Sequence, residues 1–144
     1  MTAADDPSDV LVIRRILPAP REHVFAAWLD PTSLSRWMCP GSTVSATAET
    51  DPRVGGRFRI VMRHAHASYE HTGEYLTIEP PSRLSFTWIS DATGQHPTVV
   101  TIDLVERGDN TELTLTHRGL SAAALGSHRG GWSDILRKLG DTLA

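Results

Sequence analysis

The sequence predicts an α+β fold in which a curved antiparallel sheet of about seven strands packs against one long C-terminal helix. Between Asp51 and Arg118, apolar and polar residues alternate over several short segments, which is typical of half-buried strands. In Ser127–Ala144 the apolar residues instead recur at helical spacing. Residues that favour turns separate the segments. The strands and the helix therefore follow one another along a single chain.

The chain begins with a predicted strand and two short helices. Val10–Leu17 is rich in β-branched residues and predicts the first strand, which two prolines end. Arg21–Leu29 then carries its apolar residues at helical spacing. Asp30-Pro31 ends this helix and starts a second one, because proline is well tolerated in a first helical turn. Pro40-Gly41 stops the second helix.

Six further strands are predicted after these helices. Thr43–Glu49 predicts a weak strand, and residues 51–56 form a turn. The remaining strands are predicted at Arg57–His64, at Tyr69–Glu79, and around Phe86, Ile102 and Leu115. Residues 107–110 predict a hairpin turn between the last two. Short links between consecutive strands imply an antiparallel meander, and a sheet of this length must twist and curl.

The C-terminal helix is predicted to begin at Ser127, whose hydroxyl would cap its first turn. Its apolar stripe consists of Trp132, Ile135, Leu136, Leu139 and Leu143. Such a stripe must be buried, and the concave face of the sheet is its natural partner. Gly130, Gly131 and Gly140 each weaken the helix by about 1 kcal/mol relative to Ala and leave room beside Trp132. We therefore expect the helix to close the sheet without filling the space between them.

Composition restricts the classes of function. The 144 residues suit one domain, and we expect a disordered tail at Met1–Ser8 followed by a single domain over residues 9–144. The net charge of −3 gives no reason to expect binding to nucleic acid or to an anionic membrane. The single cysteine excludes an intrachain disulfide and favours a reducing compartment. Because the acidic N-terminus resembles neither a secretory signal nor an anchor, we expect a cytoplasmic protein.

A set of short motifs recurs in order along most of the chain. It comprises Pro20 with Val24 and Trp28, Asp30-Pro31, Trp37, Pro40-Gly41, residues 51–58, 73–75, 80–88 and 111–119, and Gly131-Trp132. In these residues the chain resembles the START-like (SRPBCC, birch-pollen-allergen-like) superfamily. Within it, the chain is similar to the family related to the C-terminal domain of the activator of the 90-kilodalton heat-shock chaperone ATPase. The resemblance implies a helix-grip fold with a cavity between sheet and helix, whereas function does not follow from fold.

A ligand site is predicted in this cavity, on the assumption that the apolar side of each strand faces the helix. The predicted ligand-binding residues are Trp37, Phe58, Ile60, Met62, His64, Tyr75, Phe86, Trp88, Val100, Ile102, Leu113, Leu115, His117, Trp132 and Leu136. Tryptophan, phenylalanine and methionine side chains suit a flat apolar or aromatic ligand. The polar groups of His117, Tyr75 and His64 would orient it. The alternative is that all of these residues form an ordinary packed core.

A histidine group suggests a second kind of site. If the turn after the third strand centres on Ala67-Ser68, His64 lies across from His71 and shares its face with His66. Three imidazoles on one face could bind Zn²⁺. An exposed hairpin with incidental histidines is favoured, since structural zinc sites usually have a fourth protein ligand. We therefore predict no metal and no cofactor.

Three functions follow from these features. The favoured function is binding of a small hydrophobic or aromatic ligand by a monomer or homodimer. The second is a protein-interaction module, such as an accessory of a chaperone ATPase; we rank it lower because the N-terminal chaperone-docking domain of the eukaryotic activators has no counterpart in the sequence. The third is a cavity enzyme with His117 or Tyr75 as acid or base. No catalytic residue is assigned, because the sequence has no Gly-x-Ser-x-Gly elbow and Cys39 has no adjacent base.

Overall fold

The structure is a computed structural model that describes residues 10–40 and 45–144. In chain order these residues form β1 (Val10–Leu17), α1 (Arg21–Leu29), α2 (Pro31–Trp37), β2 (Ser45–Thr50), β3 (Arg57–Arg63), β4 (Ser68–Glu79), β5 (Arg83–Trp88), β6 (Thr98–Arg107), β7 (Asn110–Arg118) and α3 (Ala122–Leu143). A short 3₁₀ helix at Asp91–Thr93 lies between β5 and β6. The α+β prediction, with two short helices after the first strand and a long C-terminal helix, is confirmed. The predicted tail at Met1–Ser8 and the start of the predicted strand at Thr43 lie outside the described residues.

The seven strands form one antiparallel sheet in the order β1-β7-β6-β5-β4-β3-β2. Strands β2 to β7 form the predicted meander, and β1 joins its far edge, where Val10 pairs with Arg118 and Leu17 with Thr111. Because β1 and β2 lie at opposite edges, the chain between them must cross the sheet. Helices α1 and α2 make this crossing, and both bury apolar side chains on the same side as α3.

The predicted start of α3 at Ser127 is wrong. The helix begins at Ala122, and the hydroxyl of Ser121 accepts a hydrogen bond from the Ala124 amide at 3.2 Å. Ser127 lies inside the helix and donates to the Ala124 carbonyl at 3.1 Å. The physical reason is that three alanines and a leucine follow Ser121, and these residues have the highest helix propensities. The predicted apolar stripe is nevertheless right, because Trp132 and the three apolar positions that follow it in the stripe are buried.

The predicted register of the β3–β4 hairpin is also wrong. Arg63 pairs with Ser68, and His71 therefore lies opposite Ile60 rather than opposite His64. The loop occupies residues 64–67, where the His64 amide donates to the Ala67 carbonyl at 2.7 Å. This loop has no Gly, Pro, Asn or Asp that would mark the turn in the sequence. The observed and predicted registers differ by an even number of residues. His71 therefore lies on the face of the sheet that was predicted for it.

Gly73 on β4 allows a close approach between neighbouring strands. It lies opposite Phe58, and a Cβ at this position would be 2.4 Å from the Phe58 ring and 1.9 Å from the Thr87 carbonyl oxygen. The register shifts a few residues later, between Tyr75 and Thr77. A glycine and a bulge are features that bend a strand, and here they lie where the sheet curves around α3.

Candidate ligand site

The four tryptophans of the chain lie in one cluster between the helices and the sheet. The ring centroid of Trp28 lies 4.7 Å from that of Trp37 and 6.3 Å from that of Trp132. The centroids of Trp88 and Trp132 are 5.1 Å apart. These residues come from α1, α2, β5 and α3, so the cluster joins the three α-helices to the sheet. The interior of the fold is therefore dominated by aromatic packing.

Beneath this cluster the interior contains a gap of about 10 Å³. It is lined by Trp28, Leu34, Met38, Phe58, Ile60, Tyr75, Phe86 and Trp88. A gap of this volume holds about one water molecule. Burial raises the pKa of Tyr75 to about 12, and its side chain is only 2 % exposed. Tyr75 is thus a neutral phenol at physiological pH, with no room for a substrate beside it.

A larger opening lies at one end of the layer between α3 and the sheet. It consists of two adjoining pockets that share Pro40, Met62, His71 and Ala92. The inner pocket has a volume of about 200 Å³ and is also lined by Trp88, Ser127, His128, Gly131, Trp132 and Ile135. The outer pocket has a volume of about 180 Å³ and is also lined by His64, Tyr69, Glu70, Ser90 and Asp91. We call the two pockets together the end cleft.

The sequence pattern explains the walls of the inner pocket. Trp132 and Ile135 are one turn apart on the buried stripe of α3, and Gly131 beside them has no side chain to fill the space. A Cβ on Gly131 would be 3.9 Å from Pro40. On the sheet side, the His71 ring stacks on Trp88 with centroids 4.8 Å apart. The pocket is therefore bounded by two indole rings, with an imidazole at its edge.

A chain of hydrogen bonds behind this wall connects the two tryptophans. The Trp132 indole N–H donates to His117 Nδ1 at 3.0 Å. Because an indole nitrogen only donates, Nδ1 must accept, and the neutral His117 ring carries its proton on Nε2. Nε2–H then donates to Thr98 Oγ1 at 2.7 Å, and Thr98 Oγ1–H donates to the Trp88 carbonyl at 2.6 Å. This relay ties the backbone of β5 to a side chain of α3.

The relay leaves His117 no free nitrogen. The residue is fully buried, and burial, together with the nearby His128, lowers the pKa of His117 to about 3. A ring that stays neutral at physiological pH, with both nitrogens engaged, is poorly suited to accept a proton from a substrate. Its partners are side chains rather than the backbone groups that a buried histidine often uses. His117 holds Trp132 in place from behind the cleft.

Two other histidines face the cleft itself. His71 is half-buried, and its Nδ1 has no hydrogen-bond partner among the described residues. Burial lowers the pKa of His71 to about 4, so the ring is neutral at physiological pH. His128 lies 2.9 Å through Nδ1 from the Ala124 carbonyl, which can only accept, so Nδ1 donates and Nε2 of the neutral ring can accept. The cleft thus combines apolar walls with two imidazole rings, of which that of His128 can accept a hydrogen bond.

Comparison with known proteins identifies the family. A model of the family described as "Activator of Hsp90 ATPase homolog 1-like protein" matches residues 18–144, which is most of the chain. The chain belongs to this family. The assignment agrees with the resemblance seen in the sequence. A search of curated proteins found no match.

Solved structures of bacterial proteins resemble this member of the Activator of Hsp90 ATPase homolog 1-like family. A protein of Rhodobacter sphaeroides is 25% identical with a TM-score of 0.82, and the match covers 94% of this chain and 93% of that one. A protein of Chromobacterium violaceum is 25% identical with a TM-score of 0.81, covering 94% and 96%. CalU16 of Micromonospora echinospora is 29% identical with a TM-score of 0.71, covering 94% and 76%.

The structure distributes the predicted ligand residues of this family member over three places. Met62, His64, Trp88 and Trp132 line the end cleft. Phe58, Ile60, Tyr75, Phe86 and also Trp88 line the small internal gap. Trp37, Val100, Ile102, Leu113, Leu115, His117 and Leu136 lie in the packed core, each at most 1 % exposed. The end cleft therefore contains four of the predicted residues, together with others that the sequence did not suggest.

The sequence analysis misses several cleft residues, and the reason differs from one residue to the next. His128 lies four residues before Trp132 and therefore on the same face of α3, but it was expected in the first turn of a helix beginning at Ser127. His71 was considered only as a zinc ligand opposite His64. Ile135 could have been found, because it belongs to the same predicted stripe as Trp132. Asp91 lies in the short 3₁₀ helix between β5 and β6, which is too short for any periodicity to mark it.

The structure also bears on the zinc alternative. His71 lies opposite Ile60, so the facing pair of His64 and His71 does not form. His64 instead stacks edge-on against Tyr69, with centroids 5.1 Å apart. Within residues 10–40 and 45–144, no group of three or more His, Cys, Asp or Glu side chains is placed to hold a metal ion. None of the helices in these ranges is long and apolar enough to cross a membrane.

Proposed function

We propose that the end cleft binds a small apolar or aromatic molecule. The observation that carries this proposal is the inner pocket of about 200 Å³, whose walls include the adjoining rings of Trp88 and Trp132. An apolar protein cavity of about 150 Å³ accommodates benzene, so this volume suits a ligand of one or two rings. The imidazole of His128, whose Nε2 can accept a hydrogen bond, also lines this pocket and would give the ligand one polar contact. A cytoplasmic location is part of the same proposal.

The expected affinity follows from buried area. Burying an aromatic group of about 150 to 250 Å² contributes about 4 to 6 kcal/mol before the cost of association is subtracted. A single ring should therefore bind with a Kd of about 1 mM or weaker, and two fused rings should bind more tightly. The rings of Trp88 and Trp132 form the pocket walls, so a bound aromatic ligand should change the indole fluorescence.

The test uses two adjacent glycines of α3. Gly131 lines the inner pocket, whereas Gly130 is exposed and a Cβ there would meet no atom within 4 Å. Naphthalenemethanol is titrated into the wild-type protein and into the variants Gly131→Leu and Gly130→Leu by isothermal calorimetry. We expect binding to the wild type and to Gly130→Leu, and at least tenfold weaker binding to Gly131→Leu. Equal affinities in the two variants would place the ligand elsewhere and contradict the proposal.

The family description favours a second candidate function, an accessory role for a chaperone ATPase. This role predicts that the protein binds a purified chaperone of the Hsp90 type and accelerates its hydrolysis of ATP. The same two leucine variants separate the candidates, because a contact surface outside the cleft should tolerate Gly131→Leu. Acceleration by both variants without binding of naphthalenemethanol would favour the accessory role over the ligand-binding role.

A further inference from the structure

The charged residues that line the end cleft are acidic rather than basic. Neither pocket is lined by a lysine or an arginine of the described residues, whereas two acidic residues, Glu70 and Asp91, are among those that line the outer pocket. The other titratable groups that face the cleft are His64, His71, His128 and Tyr69. An anionic ligand would therefore meet acidic groups without a guanidinium or ammonium partner.

The two carboxylates have different environments. Glu70 forms an ion pair with the guanidinium of Arg59, which lies on the exposed face of β3. Asp91 accepts a hydrogen bond from Gln95 Nε2 at 2.5 Å, and no lysine or arginine within the described ranges forms an ion pair with it. The charge of Glu70 is therefore largely balanced within the protein. Asp91 is left as the uncompensated charge of the outer pocket.

The imidazole between the two pockets does not balance this charge. His71 belongs to the wall that both pockets share, and its low pKa of about 4 keeps it neutral at physiological pH. The Tyr69 ring also lines the outer pocket, and aromatic rings attract cations rather than anions. The acidic and aromatic residues of the outer pocket thus both favour a cationic ligand over an anionic one.

We infer that the end cleft selects neutral or cationic aromatic molecules over anionic ones, and that Asp91 is the residue that determines this selectivity. The inference rests on the proposed function. The aromatic body occupies the inner pocket against the two indoles that line it, and a head group extends toward Asp91. A carboxylate head loses hydration there without gaining a cationic partner. An ammonium head gains the Asp91 carboxylate.

The size of the preference follows from the exposure of Asp91. Its side chain is exposed to solvent, and ion pairs in such positions contribute modestly because water and salt screen them. We expect an ammonium ligand to bind about three- to tenfold more tightly than its neutral analogue, and a carboxylate ligand to bind more weakly than both. The ammonium preference should shrink when the salt concentration rises from about 0.05 to 0.5 M.

Three probes with the same ring system test the inference. These are naphthylmethylamine, naphthalenemethanol and naphthoate, whose small head groups are cationic, neutral and anionic at neutral pH. They are titrated into the wild type, Asp91→Asn and the matched control Asp103→Asn, whose carboxylate pairs with Arg83 at 2.8 Å outside the cleft. We expect Asp91→Asn to abolish the preference for the amine while leaving the affinity for the alcohol unchanged. The Asp103→Asn variant should behave like the wild type.

The possible outcomes distinguish a failure of the charge selectivity from a failure of the proposed ligand-binding function. If the alcohol binds but naphthoate binds as tightly as the amine, the charge selectivity is wrong and the proposed function stands. The same holds if Asp91→Asn weakens all three probes equally. If none of the three probes binds the wild type, both the proposed function and the selectivity are wrong. Loss of the amine preference in Asp103→Asn would show a long-range charge effect and would overturn the assignment to Asp91.

Discussion

The relay that connects Trp88 to Trp132 gives the sharpest prediction of stability. Replacing Thr98 by valine removes the hydroxyl with little change of volume. The hydroxyl is at once the acceptor for His117 Nε2–H and the donor to the Trp88 carbonyl. Both Thr98 and His117 are buried, at 2 % and 0 % exposure, so water cannot replace the lost partner. The substitution therefore leaves a donor and an acceptor unsatisfied in the interior.

The expected magnitude comes from the number of groups left without a partner. One buried unsatisfied group costs about 1 to 3 kcal/mol, so we expect Thr98→Val, which leaves two such groups, to destabilise the protein by about 2 to 6 kcal/mol. Thr111 provides the matched control. It is also fully buried, but its hydroxyl makes a single hydrogen bond, to the Ala19 carbonyl at 2.7 Å. Thr111→Val should therefore cost about half as much.

Urea unfolding monitored by tryptophan fluorescence measures both variants, provided that the m-value does not change. A double-mutant cycle of Thr98→Val with His117→Leu then isolates the bond between the two residues. Since they share a hydrogen bond, the combined loss should differ from the sum by about 1 kcal/mol or more. The relay would be refuted by additive losses in this cycle, or by a Thr98→Val loss no larger than that of Thr111→Val.

The remaining predictions concern pH and two glycines. Stability should fall as the pH drops from about 6.5 toward 4, because unfolded histidines take up protons there while native His71 and His117, with pKa values of about 4 and about 3, do not. In urea titrations at several pH values, His117→Leu should reduce this dependence by about 1 kcal/mol per pH unit; an unchanged slope would contradict the low pKa. Gly73→Ala should destabilise by about 3 kcal/mol or more, because its Cβ would overlap the Phe58 ring and a backbone carbonyl. Gly130 lies in open space on α3, so Gly130→Ala should stabilise the protein by about 0.5 to 1 kcal/mol in the same assay. Losses of stability of equal size in the Gly73→Ala and Gly130→Ala variants would contradict the close approach at Gly73.

The sequence predicts the bounds of a helix or strand best where residues that stop the element lie at its ends. The bounds of α1 agree with the prediction to the residue, because Pro20 and Asp30 mark its two ends, and β1 ends as predicted at Leu17, before Pro18. The start of α3 could not be located in this way. Ser121 and Ser127 are both acceptable caps, and the choice between them depends on the helix propensity of the residues that follow.

The composition of the site depends on the strand register and on the start of α3, which no local sequence pattern determines. The end cleft includes His71 because of the pairing of β3 with β4, and it includes His128 because α3 starts more than one turn earlier than predicted. Periodicity assigns a residue to a face but not to a position along that face. The polar residues of the cleft therefore required the structure, whereas Trp88 and Trp132 followed from alternation and from the helical stripe.

The balance between filled and open space in this fold explains why the cleft lies at one end. Trp28 and Trp37 fill the middle of the layer beneath α3, where only about 10 Å³ is left. The relay through His117 holds Trp132 at a fixed distance from the sheet, so the helix cannot settle further onto it. Gly131, which directly precedes Trp132 on α3, has no side chain and leaves a volume open beside it. The aromatic neighbours are rigid and cannot move to occupy this volume. The same packing that stabilises the interior thus keeps the end cleft open.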